Sequence, residues 1–256
     1  MKTVLTDDRH YTNIANKIRE KTGRTTKYKP SEMPSGLEEV YSKGYSVGKQ
    51  SEYDAFWDTY QQNGNREKYG HAFAGAGWND NTFNPKYSLT PSNCYMMFSE
   101  CNIADIQTAA ERSGITIDFS NATSLLYLLY MNGVTKRIGV VDTKSASDLY
   151  GVFQAAYGLN TIDKLILYEN SPALEVAFNG CESLKNLTIE GVISKDGLNL
   201  SYSLGLTHES LMSVINTLKD YSGSSDTHTV TLGSTNLAKL SNAEKAIATQ
   251  KGWSLA

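Results

Sequence analysis

Several features are missing from this chain of 256 residues. It has no apolar run long enough to cross a bilayer, which takes about 20 residues. Its net charge is −3, so it lacks the concentrated positive surface of a nucleic-acid binder. The cysteines Cys94, Cys101 and Cys181 form no CxxC pair. Their odd number excludes a fully paired disulfide framework, and they read as small buried hydrophobes. The histidines His10, His71, His208 and His228 stand singly, whereas zinc needs clustered ligands. There is no Walker loop and no HExxH, and the carboxylates are scattered rather than paired for glycoside hydrolysis. No catalytic, cofactor-binding or metal residue is therefore expected, and the chain does not read as an enzyme. No apolar stretch follows Met1-Lys-Thr-Val-Leu-Thr-Asp-Asp, so these residues do not read as a secretory signal. Proline is scarce after residue 92, where only Pro172 remains.

What is abundant is small and polar. There are 19 Asn, 26 Ser and 23 Thr, and Tyr (16) outnumbers Phe (7) and Trp (3) together. Such a composition suits many polar turns and half-exposed strands better than a Leu/Ala-rich helical enzyme.

Charge and proline divide the chain near 91–94. Residues 1–93 carry 13 Lys/Arg against 11 Asp/Glu, and residues 94–256 carry 11 against 16. Residues 1–62 read as a helical attachment or oligomerisation segment. Thr6 or Asp7 can cap a helix with Tyr11, Ile14, Ala15 and Ile18 on one face, ended by Gly23. Ser35 and Glu38 have capping-box spacing before a second helix bearing Val40, Tyr41, Val47, Phe56 and Trp57, with Gly44 and Gly48 in its middle. Residues 63–93 form a loop-rich connector. Its Gly75/Gly77 pair lacks the third glycine of a dinucleotide fingerprint, and Asn79-Asp80-Asn81 reads as a turn.

Residues 94–206 repeat. Phe153-x-x-Ala156-x-x-Leu159-x-x-Ile162-x-x-Leu165 returns 25 residues later as Phe178-x-x-Cys181-x-x-Leu184-x-x-Leu187-x-Ile189. Backing up by the same step gives Leu128-x-x-Met131-x-x-Val134, with Arg137 where an apolar residue is expected, and Phe98-x-x-Cys101 opens a weaker copy. A unit this short cannot bury its own apolar face, so copies stack. Strands are expected at Ile115–Phe119, Ile138–Asp142, Leu165–Tyr168 and Leu187–Glu190. Phe98, Cys101, Leu128, Met131, Phe153, Ala156, Leu159, Phe178, Cys181, Leu184 and Leu187 are expected to point inward. Residues 207–256 read as a capping module. It has a helix from Thr207 with Leu211, Met212, Ile215 and Leu218 on one face, stopped near Gly223. A strand at His228–Leu232, a helix opened by Ser241 and Glu244, and a closing Trp253 and Leu255 follow.

The string Phe178-Asn-Gly-Cys181-Glu-Ser-Leu184-Lys-Asn-Leu187-Thr-Ile189 resembles the BspA-type leucine-rich repeat. The ending from Thr207 to Leu255 resembles the terminal module of such repeats in phage and prophage proteins of Gram-positive gut bacteria. Ile14-Ala-Asn-Lys-Ile-Arg-Glu-Lys-Thr-Gly with Lys29-Pro-Ser-Glu-Met resembles an N-terminal segment of phage tail and baseplate proteins. The resemblance implies an irregular α/β solenoid with short parallel strands, and a non-enzymatic tail or baseplate protein, located in the virion. It implies attachment to other tail proteins through residues 1–62, a homotrimer, and display of the repeat for host receptor binding to a cell-wall glycan or surface protein. The alternative is a bacterial cell-surface adhesin or interaction module of the same type. The candidate ligand-binding residues are Tyr127, Tyr130, Tyr150, Tyr157, Tyr168 and Tyr202, which recur along the repeat. Each stands either half-buried in the ladder or offered to a ligand.

Overall fold

Backbone hydrogen bonding in the turns of residues 94–100, 125–132 and 151–156 follows one rule, repeated layer after layer. Alternate N–H groups close turns within a layer: Leu128 donates to Leu125 O, Tyr130 to Tyr127 O and Asn132 to Leu129 O. The N–H groups between them reach the next layer. Leu125, Tyr127, Leu129 and Met131 donate to the carbonyls of Asp148, Tyr150, Val152 and Gln154. Gly151, Phe153 and Ala155 repeat the step onto Glu175, Ala177 and Asn179. Buried backbone groups are thereby paired without a regular strand. The computed structural model in which this is seen describes residues 72–75, 77–80, 83, 85 and 88–256. The helices expected within residues 1–62 lie outside them.

This winding places two positions per layer in the left-handed region. They are Met96 and Glu100, Tyr127 and Met131, Gly151 and Ala155, then Val176 and Gly180, with φ between 49° and 78°. A non-glycine residue there costs on the order of 1–2 kcal/mol, offset by the ladder bonds on either side. Small polar side chains close the layer starts. Asn93, Ser124 and Asp148 each accept the N–H two residues on, at Tyr95, Leu126 and Tyr150.

After three successive turns the chain extends into a strand. β1 (Arg137–Asp142), β2 (Thr161–Leu167) and β3 (Asn186–Gly191) form a parallel sheet in that order. Ile138 lies beside Ile162, and Ile162 beside Leu187. These three residues are buried together with Val141, Leu165 and Ile189, while Val140, Thr188 and Glu190 stay exposed. The stretch Ile115–Phe119 does not become a strand. It holds a single parallel bridge, Leu89 to Ile117, because α1 (Ile106–Arg112), capped by Asp105, intervenes before β1.

The copy read as Leu128-x-x-Met131 is corrected by one residue. Met131 is 47% exposed, and Val134 is exposed as well. The buried series runs Leu129, Asn132, Thr135, Ile138, Val141, matching Phe153, Ala156, Leu159, Ile162 and Leu165. Leu128 is buried, at the position before the repeat's first residue. The slip arises because Asn132 and Thr135 are polar yet internal. The Asn132 amide donates to Phe98 O (2.9 Å), and its Oδ1 accepts the N–H groups of Val134 and Thr135. Thr135 Oγ1 donates to Ile103 O (2.7 Å). In this register Arg137 is a solvent-side residue. It forms a bidentate pair with Asp163 (2.9 and 2.7 Å) across β1 and β2. Cys181 makes the equivalent bond in its layer, its Sγ donating to Phe153 O, while Ser203 Oγ donates to Cys181 O.

The same layering is present before residue 94. Phe73 N–H donates to Met97 O, and the Phe73 ring stacks on Phe98 at 5.3 Å. Phe83 meets both rings edge-on. Phe73 thus stands where Phe98, Phe153 and Phe178 stand, across the expected boundary. Asp80 Oδ1 accepts the N–H of Ala104.

At the other end α2 (His208–Thr217) takes the place of a further strand. Thr207 caps it through the N–H of Ser210. Leu211, Val214, Ile215 and Leu218 are buried, whereas Met212 is half-buried. The helix ends at Thr217, ahead of the expected Gly223. Ser210 and Ser213 face the open edge of β3. Their hydroxyls accept from the N–H groups of Leu187 and Ile189 and donate to the carbonyls of Lys185 and Ile189. Beyond it, β4 (His228–Val230) pairs in parallel with β5 (Trp253–Leu255). α3 (Ser234–Leu237) and α4 (Asn242–Gln250) lie between them, and α4 opens on the Ser241/Glu244 capping box. Trp253 is buried, its indole N–H donating to Lys219 O.

Candidate functional site

Three of the six candidate tyrosines meet on the turn side of the layers. Tyr127 and Tyr130 share one layer, separated by two residues, and their ring centroids are 4.8 Å apart. Tyr150 comes from the next layer and meets the Tyr127 ring edge-on at 5.7 Å. The turn ladder sets this geometry. Tyr127 donates its N–H to Tyr150 O, and Asp148 holds the N–H of Tyr150. Gly151 leaves the space the Tyr127 ring uses, since a Cβ there would lie 2.5 Å from it.

Burial, then the neighbouring phenols of Tyr150, Tyr130 and Tyr95, push the Tyr127 hydroxyl above its usual pKa. Tyr95 therefore belongs to this face. It occupies the place three before Phe98 that Tyr150 occupies before Phe153. That shared offset is the signal in the sequence that could have found it. Tyr150 is 41% exposed, while Tyr127 and Tyr130 are half-buried. The face offers three aromatic rings inclined to one another at 50° and 83°, held by backbone bonds rather than by long flexible stems. Tyrosine surfaces of this kind bind with little loss of side-chain freedom.

The other three tyrosines stand apart. Tyr157, 50% exposed, lies over Gly180 at the end of its layer. Tyr168 follows β2 and donates its hydroxyl to Asp142 at 3.4 Å. The crevice beside it, lined by Ser171, Val192 and Ile193 among others, holds about 10 Å³, room for one water at most. Tyr202 is 47% exposed next to the exposed Leu204. The repeat-core candidates Phe98, Cys101, Leu128, Phe153, Ala156, Leu159, Phe178, Cys181, Leu184 and Leu187 are all buried, and Met131 is the exception.

The thiols offer no nucleophile. Burial raises the pKa of Cys94 and Cys101, and pushes Cys181 up to about 12. Among the described residues no group of three or more His, Cys, Asp or Glu side chains could hold a metal. One string with nucleophile-elbow spacing, Gly44-Tyr-Ser46-Val-Gly48, follows helical rather than strand patterning and lies outside the described residues. No helix among the described residues is long and apolar enough to cross a membrane. No family model, no curated protein and no solved structure matches this chain.

Proposed function

We propose that this chain is a non-enzymatic phage tail or baseplate protein. It displays an irregular BspA-like leucine-rich-repeat solenoid and contacts the host surface through its tyrosine face. The observation that carries the reading is the meeting of Tyr127, Tyr130 and Tyr150 on successive hydrogen-bonded layers. Aromatic rings fixed in this way form a preorganised surface for the flat faces of cell-wall sugars. The parallel sheet and the layer-to-layer bonds support the solenoid reading. The resemblances of residues 14–33 and 207–255 support a place in the virion, with residues 1–62 joining tail partners as a homotrimer.

Binding of the full chain to host cell-wall glycans, on an array or in a pull-down, tests the proposal. The Tyr127→Ala/Tyr150→Ala variant is expected to bind about tenfold or more weakly, roughly 1.4 kcal/mol, while keeping the circular dichroism spectrum of the folded chain. Undiminished binding by that variant rules out the tyrosine face. Light scattering of the full chain tests the trimer, which a single-subunit mass excludes.

A further inference from the structure

The turn ladder stops at one place, and a cleft opens there. In the earlier layers the N–H two residues before the core phenylalanine or leucine bonds the next layer: Tyr127 to Tyr150 O, Gly151 to Glu175 O. Val176 holds the equivalent position before Phe178, and its N–H finds no acceptor among the described residues. The following segment bonds elsewhere. Leu198 O accepts from Thr231, and Leu200 N–H donates to Thr231 O. Between the two lies a cleft of about 450 Å³, lined by Glu175, Val176, Asn179, Asp196, Asn199 and Thr229 among others. That volume falls in the range of small-molecule sites.

Two exposed carboxylates, Glu175 and Asp196, stand on its lining, and Asn199 Oδ1 already accepts from the N–H and hydroxyl of Ser201, which leaves its amide NH2 to the cleft. Asp196 Oδ1 accepts the N–H of Thr229 (2.8 Å) and lies 3.4 Å from His228 Nδ1, while its second oxygen has no partner among the described residues. The same holds for the Glu175 carboxylate. Asn179 Oδ1 is enclosed and accepts no hydrogen bond, an unfavourable state for a buried polar atom. No Lys or Arg lines the cleft. A matching ligand brings a positive charge for the two carboxylates, hydroxyls for Asn179, Asn199 and Thr229, and an acceptor for the Val176 N–H.

We propose that this cleft binds an amino sugar through its free ammonium group. The ammonium sits between Glu175 and Asp196, and ring hydroxyls exchange hydrogen bonds with the amide and hydroxyl side chains. The assignment is independent of the tyrosine face, whose residues lie in earlier layers, and of any place in a virion.

Titration of the full chain with the glucosamine dimer at low salt, followed by calorimetry, tests it. Saturable binding is expected, weakened by added salt. The N-acetylated dimer, which has lost the charge, is expected to bind about tenfold or more weakly than the free dimer to the Tyr127→Ala/Tyr150→Ala chain, from which the tyrosine face has been removed. Glu175→Gln/Asp196→Asn keeps shape and acceptors but removes both charges. It is expected to weaken binding about tenfold or more with the melting temperature preserved. Tyr127→Ala/Tyr150→Ala is expected to leave this binding unchanged. No saturation, equal binding of the acetylated dimer, or full binding by the charge-removed variant overturns the proposal. Equal binding of Nα-acetyl-lysine methylamide overturns the sugar assignment in favour of a peptide ammonium.

Discussion

Asn132 shows how much one side chain can decide. It stands where Cys101 and Cys181 stand in other layers, and it ties its layer to Phe98 O while closing the turn onto Val134 and Thr135. Asn132→Ala is expected to cost about 2–4 kcal/mol in urea unfolding, since it strands buried partners on both sides. The buried cysteines make a second prediction. Their pKa values are raised, from 9.0 to about 12 for Cys181, so the folded state favours the neutral thiol. That contribution is complete below the unfolded thiol pKa and is lost as pH rises from 9.0 toward 12. Cys181→Ala should flatten the alkaline fall in stability, and a thiol reagent at neutral pH should label the native thiols only as fast as the chain opens. At this scale the apolar pattern made Phe98, Phe153 and Phe178 legible as core. Asn132 was hidden because a buried amide looks like a surface residue until its hydrogen bonds are seen.

Elements here are held at their edges. α2 covers β3 by supplying hydroxyls where the next strand would supply carbonyls and N–H groups, and Ser213 both accepts from Ile189 N–H and donates to Ile189 O. Ser213→Ala is expected to cost about 1–3 kcal/mol by thermal or urea unfolding. Ser213→Thr, which retains the hydroxyl, should recover part of it. Gly191 ends β3 at φ +87, and a Cβ there would lie 1.9 Å from Leu167 O. Gly191→Ala is therefore expected to be among the most damaging single substitutions, with a loss of about 2 kcal/mol or more in the same assay. The capping box at Ser241 was legible because its spacing is local. The serine cover on β3 was not, since Ser210 and Ser213 are unremarkable in a helix until the strand they serve lies beside them.

Over the whole molecule, stability in a stack comes from neighbouring layers, so its last layer must be closed. Trp253 closes it, buried and bonded to Lys219 O, with Tyr221 and His228 stacked beside it. Trp253→Ala is expected to cost about 3–5 kcal/mol. The loss should appear first in hydrogen exchange of residues 193–256, ahead of the layers around Phe153.

The sequence by itself determined the repeat, the core phenylalanines and the capping signals, because each shows as a fixed spacing along the chain. Only tertiary structure decided three other things. It set the one-residue register around Asn132, since polar and apolar residues are equivalent inside once their bonds are made. It brought Tyr127, Tyr130 and Tyr150 to one face, with Tyr95 near them, and sent Tyr157, Tyr168 and Tyr202 elsewhere, because stacking sets which side chains of successive layers meet. It opened the cleft between Glu175 and Asp196, where one layer's backbone turns away from the next and leaves its polar groups to other partners.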